Sequence, residues 1–438
     1  VRTALGVRSS TRVPAVEGDQ IELPDGSAKG LITEFLAADG TVLASEPRRF
    51  GSFNWMGDFG LGIDYSAVTA IRTRMTFTAA VAGSHGFGGS GVGHVLISLD
   101  GETVAETDVA LPAGADLVEA MMTPPQLLVP RQLAAGESVA FEMTFAAEEM
   151  PGFGALWAFQ VNIEAPHGTD DEELDAAVAL AAESDAVVLV VGTTEEVESE
   201  GYDRTSLSLP GRQDELVTRV LAANPNTVVV VNSGAPVLMP WLADARAVLL
   251  AWFPGQQMGT ALADVLTGAV EPGGRMPTSW PSPEAVVAPA NLPVDGVVRY
   301  DEGLHIGYRA YLRAQLAPAV PFGHGLGYTS WELSEPAIAA GKVVLTVRNT
   351  GRRTGSQVIQ VYLARPESTL ERPLRWLAGF TKVRLAAGEA ADVEVDLPER
   401  AFQHWDVAAG AWVTEPGDYT VAVGTSVADL PFALTITA

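Results

Sequence analysis

Thr193-Thr194-Glu195-Glu196-Val197-Glu198-Ser199-Glu200-Gly201-Tyr202-Asp203-Arg204 is the stretch of this chain whose residue types could do chemistry. Five carboxylates fall within eleven positions, directly after the apolar run from Asp185 to Gly192. Two readings fit. It is a solvated acidic loop, or one glutamate is held where partial burial and neighbouring carboxylates raise its proton affinity enough to serve as an acid. Composition and spacing leave both open.

The flanking elements say where such a loop would sit. Glu172 to Glu183 has helical spacing, and Asp185 to Gly192 (DAVVLVVG) is a continuous apolar strand. A helix from about Pro210 to Ala223 precedes a second strand, Thr227 to Asn232. A third, Ala247 to Trp252, leads through Pro254-Gly255 into the helical run Met258 to Leu266. Apolar strands alternating with helices predict an α/β sandwich with a mainly parallel sheet, whose loops and ligands gather at the carboxyl ends of the strands.

The chain on either side reads as strands. Alternation is clear from Ala70 to Thr78, with further strands at Val95 to Leu99 and Val139 to Phe145. Asp100-Gly101 between apolar runs predicts a two-residue hairpin. This first β-rich stretch predicts a barrel or sandwich. From about Tyr328 the strands resume (Lys342 to Val347, Gln357 to Leu363, Ala391 to Leu397, Tyr419 to Val423) and predict an immunoglobulin-like sandwich. The expected domains are a segment 1–28 (a remnant of the α/β domain or a linker), a β domain 29–165, an α/β domain 166–327 and a β-sandwich 328–438.

The 438 residues carry 27 Lys and Arg against 54 Asp and Glu, a net charge of -27. That field repels phosphate backbones, so nucleic acid is excluded as a partner. A neutral sugar is indifferent to it. No apolar run reaches the ~18 residues of a spanning helix, so no membrane role is expected. The chain has no cysteine, and Val1 is followed by no charged-then-apolar leader, as fits a removed leader or an internal start. Compartment is therefore not legible. Gly86, Gly88 and Gly91 match GxGxxG, yet the flanking hairpin pattern makes the run a flexible loop rather than a dinucleotide site. His85, His94, His167, His305, His324 and His404 show no metal spacing, so structural or surface roles are expected and no metal or cofactor is implied.

The string ESEGYDRTSLSLPGRQDELV resembles the acid/base loop of family 3 glycoside hydrolases of the β-glucosidase type. Further matches follow in order: Asn224-Pro225-Asn226-Thr227, Asn232 to Val237, Trp252 to Gln256, Pro272 to Pro277, Tyr300 to Gly303, Gly307-Tyr308-Arg309 and Pro321 to Tyr328. Arg372-Pro373-Leu374 and Gly379 to Val383 are similar to the family's fibronectin type III-like domain. The earlier β-rich stretch resembles, by position and strand pattern, the protective-antigen domain that some members insert.

The resemblance implies a retaining exo-β-glycosidase with Glu200 as general acid/base and Glu195, Glu196 and Glu198 as rivals. Asp203 and Arg204 would pair to hold the loop. Tyr202 and Trp252 could line the site, and Trp55, Phe87, Met121 and Met122 could shape the aglycone side; ordinary packing is the alternative for each. The family's nucleophile is an Asp on a preceding (β/α)8 barrel, for which the ~155 residues from Asp170 to Gly325 are too few. An N-terminal barrel chain is therefore expected as partner, this chain being inactive alone, with a β-glucoside or related glycoside as substrate. A non-catalytic carbohydrate-binding or scaffolding protein of the same descent is the alternative.

Overall fold

The computed structural model of the chain describes residues 3–4, 6–7, 10, 12–110, 123–147, 149–150, 154–155, 157–200, 204–283 and 293–438. The backbone divides into two units. One holds Val1–Val187, Gly192–Ser206 and Pro210–Asn224; the other holds Val188–Val191, Leu207–Leu209 and Pro225–Ala438.

In the first unit, alternation becomes two antiparallel sheets. The larger runs Val42–Arg48, Leu31–Leu36, Ala70–Thr78, Ser138–Ala147, Gly93–Leu99, Glu102–Val109, with Ile21–Glu22 beside Ala70–Thr78. The smaller runs Ser52–Trp55, Trp157–Glu164, Gly83–Gly91, Gln126–Leu133. Ile71, Met75, Phe141 and Phe145 of the larger sheet share one core with Phe53, Phe87, Phe159 and Val161 of the smaller. Residues between them on Ala70–Thr78 point the other way, where Arg72 and Arg74 grip Glu34 at 2.7 and 2.6 Å. Asp100 and Gly101 have φ of 53° and 81° and join their strands in the expected tight turn.

One expectation fails here. The glycine run is not a loop but the Gly83–Gly91 strand, paired on both edges. A Cβ at Gly88 would strike the Leu127 carbonyl, and one at Gly91 would lie 2.6 Å from the Phe145 ring. The glycines admit close backbone and ring contact rather than flexibility. Residues before 29 also take part in this structure. Val13, Val16 and Ile21 are buried, and the Val16 amide donates to the Val161 carbonyl at 2.9 Å, because these apolar residues close an edge of the same structure.

The same unit carries the helices Asp170–Ala182 and Gln213–Ala223. Thr169 and Glu172 form a reciprocal capping box at the first. Arg212 and Arg219 reach Asp171 and Asp175 at 2.6 and 2.7 Å, and buried Asn224 donates to the carbonyls of Ala181 and Ser184.

A three-stranded sheet runs Val187–Gly192, Thr227–Asn232, Ala247–Leu250, with Val188–Val191 of its first strand in the second unit; the latter two strands run parallel. Val229, Val230 and Val231 are fully buried, whereas Val188 and Val190 are half exposed. Helices Met258–Thr267 and Tyr308–Ala314 follow, then a sandwich with a fibronectin-like arrangement. Its sheets are Trp331–Leu333, Lys342–Asn349 and Ala337–Ala339 with Ala390–Asp396, and Trp376–Leu385, Gly355–Ala364, Asp418–Gly424 and Phe432–Thr437. Polar ties hold the preceding segments to it. Arg275 donates to Gln357 Oε1 at 2.8 Å, Glu271 accepts from the Ser356 amide at 2.6 Å, and Gln360 donates to the Gly323 carbonyl at 2.9 Å.

One buried ion pair anchors the sandwich. Arg372 Nε meets Glu415 Oε2 at 3.1 Å, both side chains about a tenth exposed, and the guanidinium lies over the rings of Trp376 and Tyr419. Tyr419 donates its hydroxyl to the Glu415 carbonyl at 2.8 Å, a corner that fixes the start of its strand. Burial disfavours the Glu415 carboxylate, but hydrogen bonds from Ser368 and Thr369 and the charge of Arg372 outweigh it and hold the group down at about 2. A carboxyl depressed in the folded state contributes stability that is full above its unfolded value near ~4.3 and is lost as pH falls through about 2. Glu415→Gln is therefore expected to destabilise the sandwich by about 1–3 kcal/mol at neutral pH. The gap from wild type, read by hydrogen exchange along Asp418–Gly424, should narrow below pH ~4.3 and close near pH ~2. A gap independent of pH would remove the carboxylate charge as its cause.

Candidate active site

The acidic loop leaves the carboxyl end of Val187–Gly192 and re-enters regular structure at Gln213–Ala223. One side chain closes its base. Gln213, 3% exposed in the first turn of the helix, donates to the carbonyls of Gly192 and Pro210, both at 2.9 Å. Its Oε1 accepts from the Gly192 amide at 2.8 Å. A neutral amide with two donors and an acceptor satisfies three backbone groups at once, which a charged side chain could do only at a larger desolvation cost.

Within the loop, the amides of Val197 and Glu198 both donate to the Thr194 carbonyl at 3.0 Å. Thr193 Oγ1 donates to Glu198 Oε2 at 2.6 Å. Arg204 is half-buried; burial lowers the proton affinity of its guanidinium, and the Glu198 charge opposes that shift. Glu198 is thus turned inward as counter-charge to its own loop. Glu195 is exposed and Glu196 half-buried. Glu200 is exposed, and its carboxylate has no hydrogen bond or ion pair among the described residues. Gly201, Tyr202 and Asp203 lie outside the described residues, as do Met121 and Met122, so the expected Asp203–Arg204 pair does too.

Trp55 and Phe87 do not stand on loops facing a pocket. Trp55 is 9% exposed on Ser52–Trp55, stacked on Phe53 at 5.4 Å and edge-on to Phe35 and Phe59. Phe87 is fully buried against Phe77 and Phe141. Both fall on inward positions of strands, so packing takes them. The second unit has strand-end turns of its own. Ser233, fully buried, donates to the Ala235 carbonyl at 2.6 Å. Trp252 has a φ of 56°, unusual for an aromatic residue, and meets Trp280 edge-on at 6.0 Å. A cavity of about 740 Å³ lies beside this pair, lined by Val228, Met239, Leu249, Met276 and His324 among others. Among the described residues no carboxylate lines it.

Three of the histidines have structural or surface partners: His85 packs on Phe77, His94 meets Asp108 at 2.8 Å, and His305 meets Glu371 at 3.1 Å. Among the described residues no group of three or more metal-ligating side chains is gathered. Sequence reasoning missed Gln213 as the closure of the loop. A glutamine in the first turn of a helix ordinarily reads as a solvated surface residue, and only the two neighbouring chain ends make it a clamp.

Residues 27–328 match the model of the glycosyl hydrolase family 3 C-terminal domain, and residues 357–427 that of the fibronectin type III-like domain. A β-glucosidase of Rhizobium radiobacter is 35% identical over 403 residues, covering 88% of this chain and 48% of the relative. The crystal structure of a β-glucosidase from Kluyveromyces marxianus superposes with a TM-score of 0.85 at 31% identity, over 99% of this chain and 53% of that one. A β-glucosidase from Streptomyces venezuelae, solved with D-glucose, gives a TM-score of 0.61 at 30% identity over 100% and 50%. The chain spans about half the length of the curated relatives it matches. Those relatives hold the matched half within one longer polypeptide, so the expected separate barrel chain, and inactivity without it, find no support in them.

Gln213→Leu keeps the bulk of the side chain and deletes three hydrogen bonds. It is expected to cost about 1–3 kcal/mol and to speed amide exchange at Gly192 and proteolytic cutting between Thr193 and Leu209. Unchanged exchange at Gly192 would show that the loop base is closed by something else.

Proposed function

This chain belongs to glycoside hydrolase family 3, and from that membership we propose that it carries the acid/base half of a retaining exo-β-glycosidase of the β-glucosidase type. Glu200 is the general acid/base. The observation that carries this reading is the division of labour in the loop: Glu198 is tied to Thr193 and faces Arg204, whereas Glu200 is exposed and unengaged among the described residues. The Gln213 clamp holds the base of the loop in register, and supports a role that needs a carboxyl in one place.

In the first step the Glu200 carboxyl gives its proton to the glycosidic oxygen as the bond to the anomeric carbon breaks. A second carboxylate, on the family's (β/α)8 barrel, attacks from the opposite face and forms a glycosyl-enzyme ester. In the second step the Glu200 carboxylate takes a proton from water as that water attacks the ester, releasing the sugar and restoring both groups. The two carboxyls must stand about 5–5.5 Å apart. The β-rich module of the first unit, in this reading, is the protective-antigen-like insertion, and a β-glucoside is the substrate.

Acid assistance matters most where the leaving group is a poor one. Glu200→Ala in the protein of full relative length is expected to lower kcat/KM by ~10²–10⁴-fold on alkyl or disaccharide β-glucosides, with a far smaller loss on activated aryl glycosides. Equal losses on both substrate types would reassign Glu200 to a structural role. No turnover by the parent protein on either type would favour the non-catalytic, carbohydrate-binding reading.

A further inference from the structure

The sandwich carries an aromatic corner that its own core does not use. The short strands Gln403–Asp406 and Ala411–Thr414 form a hairpin in which Trp405 and Trp412 stand directly opposite each other on one face. Their rings are 5.6 Å apart and inclined at 70°, and both remain about half exposed, at 50% and 46%. Val407 at the tip is 86% exposed. Every other aromatic pair in this sandwich is turned inward: Trp376, Phe402 and Tyr419 pack together beneath the Arg372–Glu415 pair. The indole corner is therefore additional to what folding requires of the core.

Two features define what would sit on it. Arg400 lies over the Trp412 ring at 3.8 Å; it covers one face of that indole, holds it in place, and leaves Trp405, half exposed, as the stacking platform with guanidinium N–H groups nearby. The remaining apolar surface, two half-covered indoles and one valine, is on the order of 300 Å², well below the ~800 Å² per partner of a stable protein interface. A pyranose ring fits that scale. One face of a β-linked glucose unit presents axial C–H groups, which carry partial positive charge toward the electron-rich face of an indole, while its equatorial hydroxyls point outward to donors such as Arg400. The net charge of -27 leaves a neutral glycan unaffected and repels a polyanionic one.

We infer that Trp405 and Trp412 form a glycan-binding subsite for a neutral β-linked glucan, separate from the loop that carries Glu200. The choice of β-linked glucose as ligand rests on the proposed function; the surface itself does not. The subsite would hold a neighbouring stretch of polymer or a second oligosaccharide and raise the local concentration of chain ends.

The test uses the whole chain with its nine tryptophans labelled at the indole nitrogen, titrated with cellotetraose and, separately, maltotetraose. The proposal predicts that the resonances of Trp405 and Trp412 shift with cellotetraose and not with maltotetraose. Trp405→Ala or Trp412→Ala should weaken binding by about tenfold or more, and Trp405→Phe should retain most of it. An unchanged thermal transition in each variant separates lost binding from lost folding. Absence of shifts at about 10 mM cellotetraose, equal response to maltotetraose, or binding that survives both alanine variants would each overturn the proposal. None of these readouts involves turnover, so failure here leaves the role of Glu200 standing, and the reverse.

Discussion

Irregular chain can be held in place only if its backbone polar groups find partners, and in this protein buried side-chain amides supply them. Gln213 bridges Gly192 and Pro210; Asn224 bridges Ala181 and Ser184. Asn349 takes hydrogen bonds from Thr329 and Gly351 and gives them to Arg353 and Leu385, while Gln360 joins Gly323 to Thr425. At the other end of the chain Gln126 exchanges a pair of hydrogen bonds with Val13. Each amide pins a loop or segment that no ladder reaches. An amide both donates and accepts without carrying charge, so it can be covered at modest cost. In a chain with so many carboxylates, neutral fasteners also add nothing to the self-repulsion.

This explains which parts of the protein were legible in its sequence. A strand with a clear period, Ala70–Thr78, and one that is a short apolar run, Thr227–Asn232, are legible with the bounds they have, and Asp100-Gly101 announces its own turn. Periodicity is a local signal and survives in one sequence. The Gly83–Gly91 strand was not legible, because its glycines answer to the Leu127 backbone and the Phe145 ring, neither of them a sequence neighbour. Val13, Val16 and Ile21 carry no local sign of their place for the same reason: their partners are Gln126, Val161 and Phe77.

The site followed a similar pattern. The acidic loop was visible as composition and gained a meaning only by its resemblance to a family. Which glutamate is spoken for depended on Thr193 and Arg204, a pairing that spacing does not encode. Trp55 had the residue type of a sugar platform but the parity of a core position, and parity decided it. Trp405 and Trp412 pair on a hairpin away from the sandwich core, and there the same residue type stays in water.

The half-exposed Val188 and Val190 bear on how the chain behaves as a colloid. A strand that is apolar on both faces but covered on one tends to adhere, and a net charge of -27 opposes the approach of a second copy. That repulsion reaches ~10 Å at 0.1 M salt and only ~3 Å at 1 M, while the attraction of apolar surface does not weaken with salt. Self-association of the chain is therefore expected to rise with salt, the reverse of what would hold if ionic contacts drove the association.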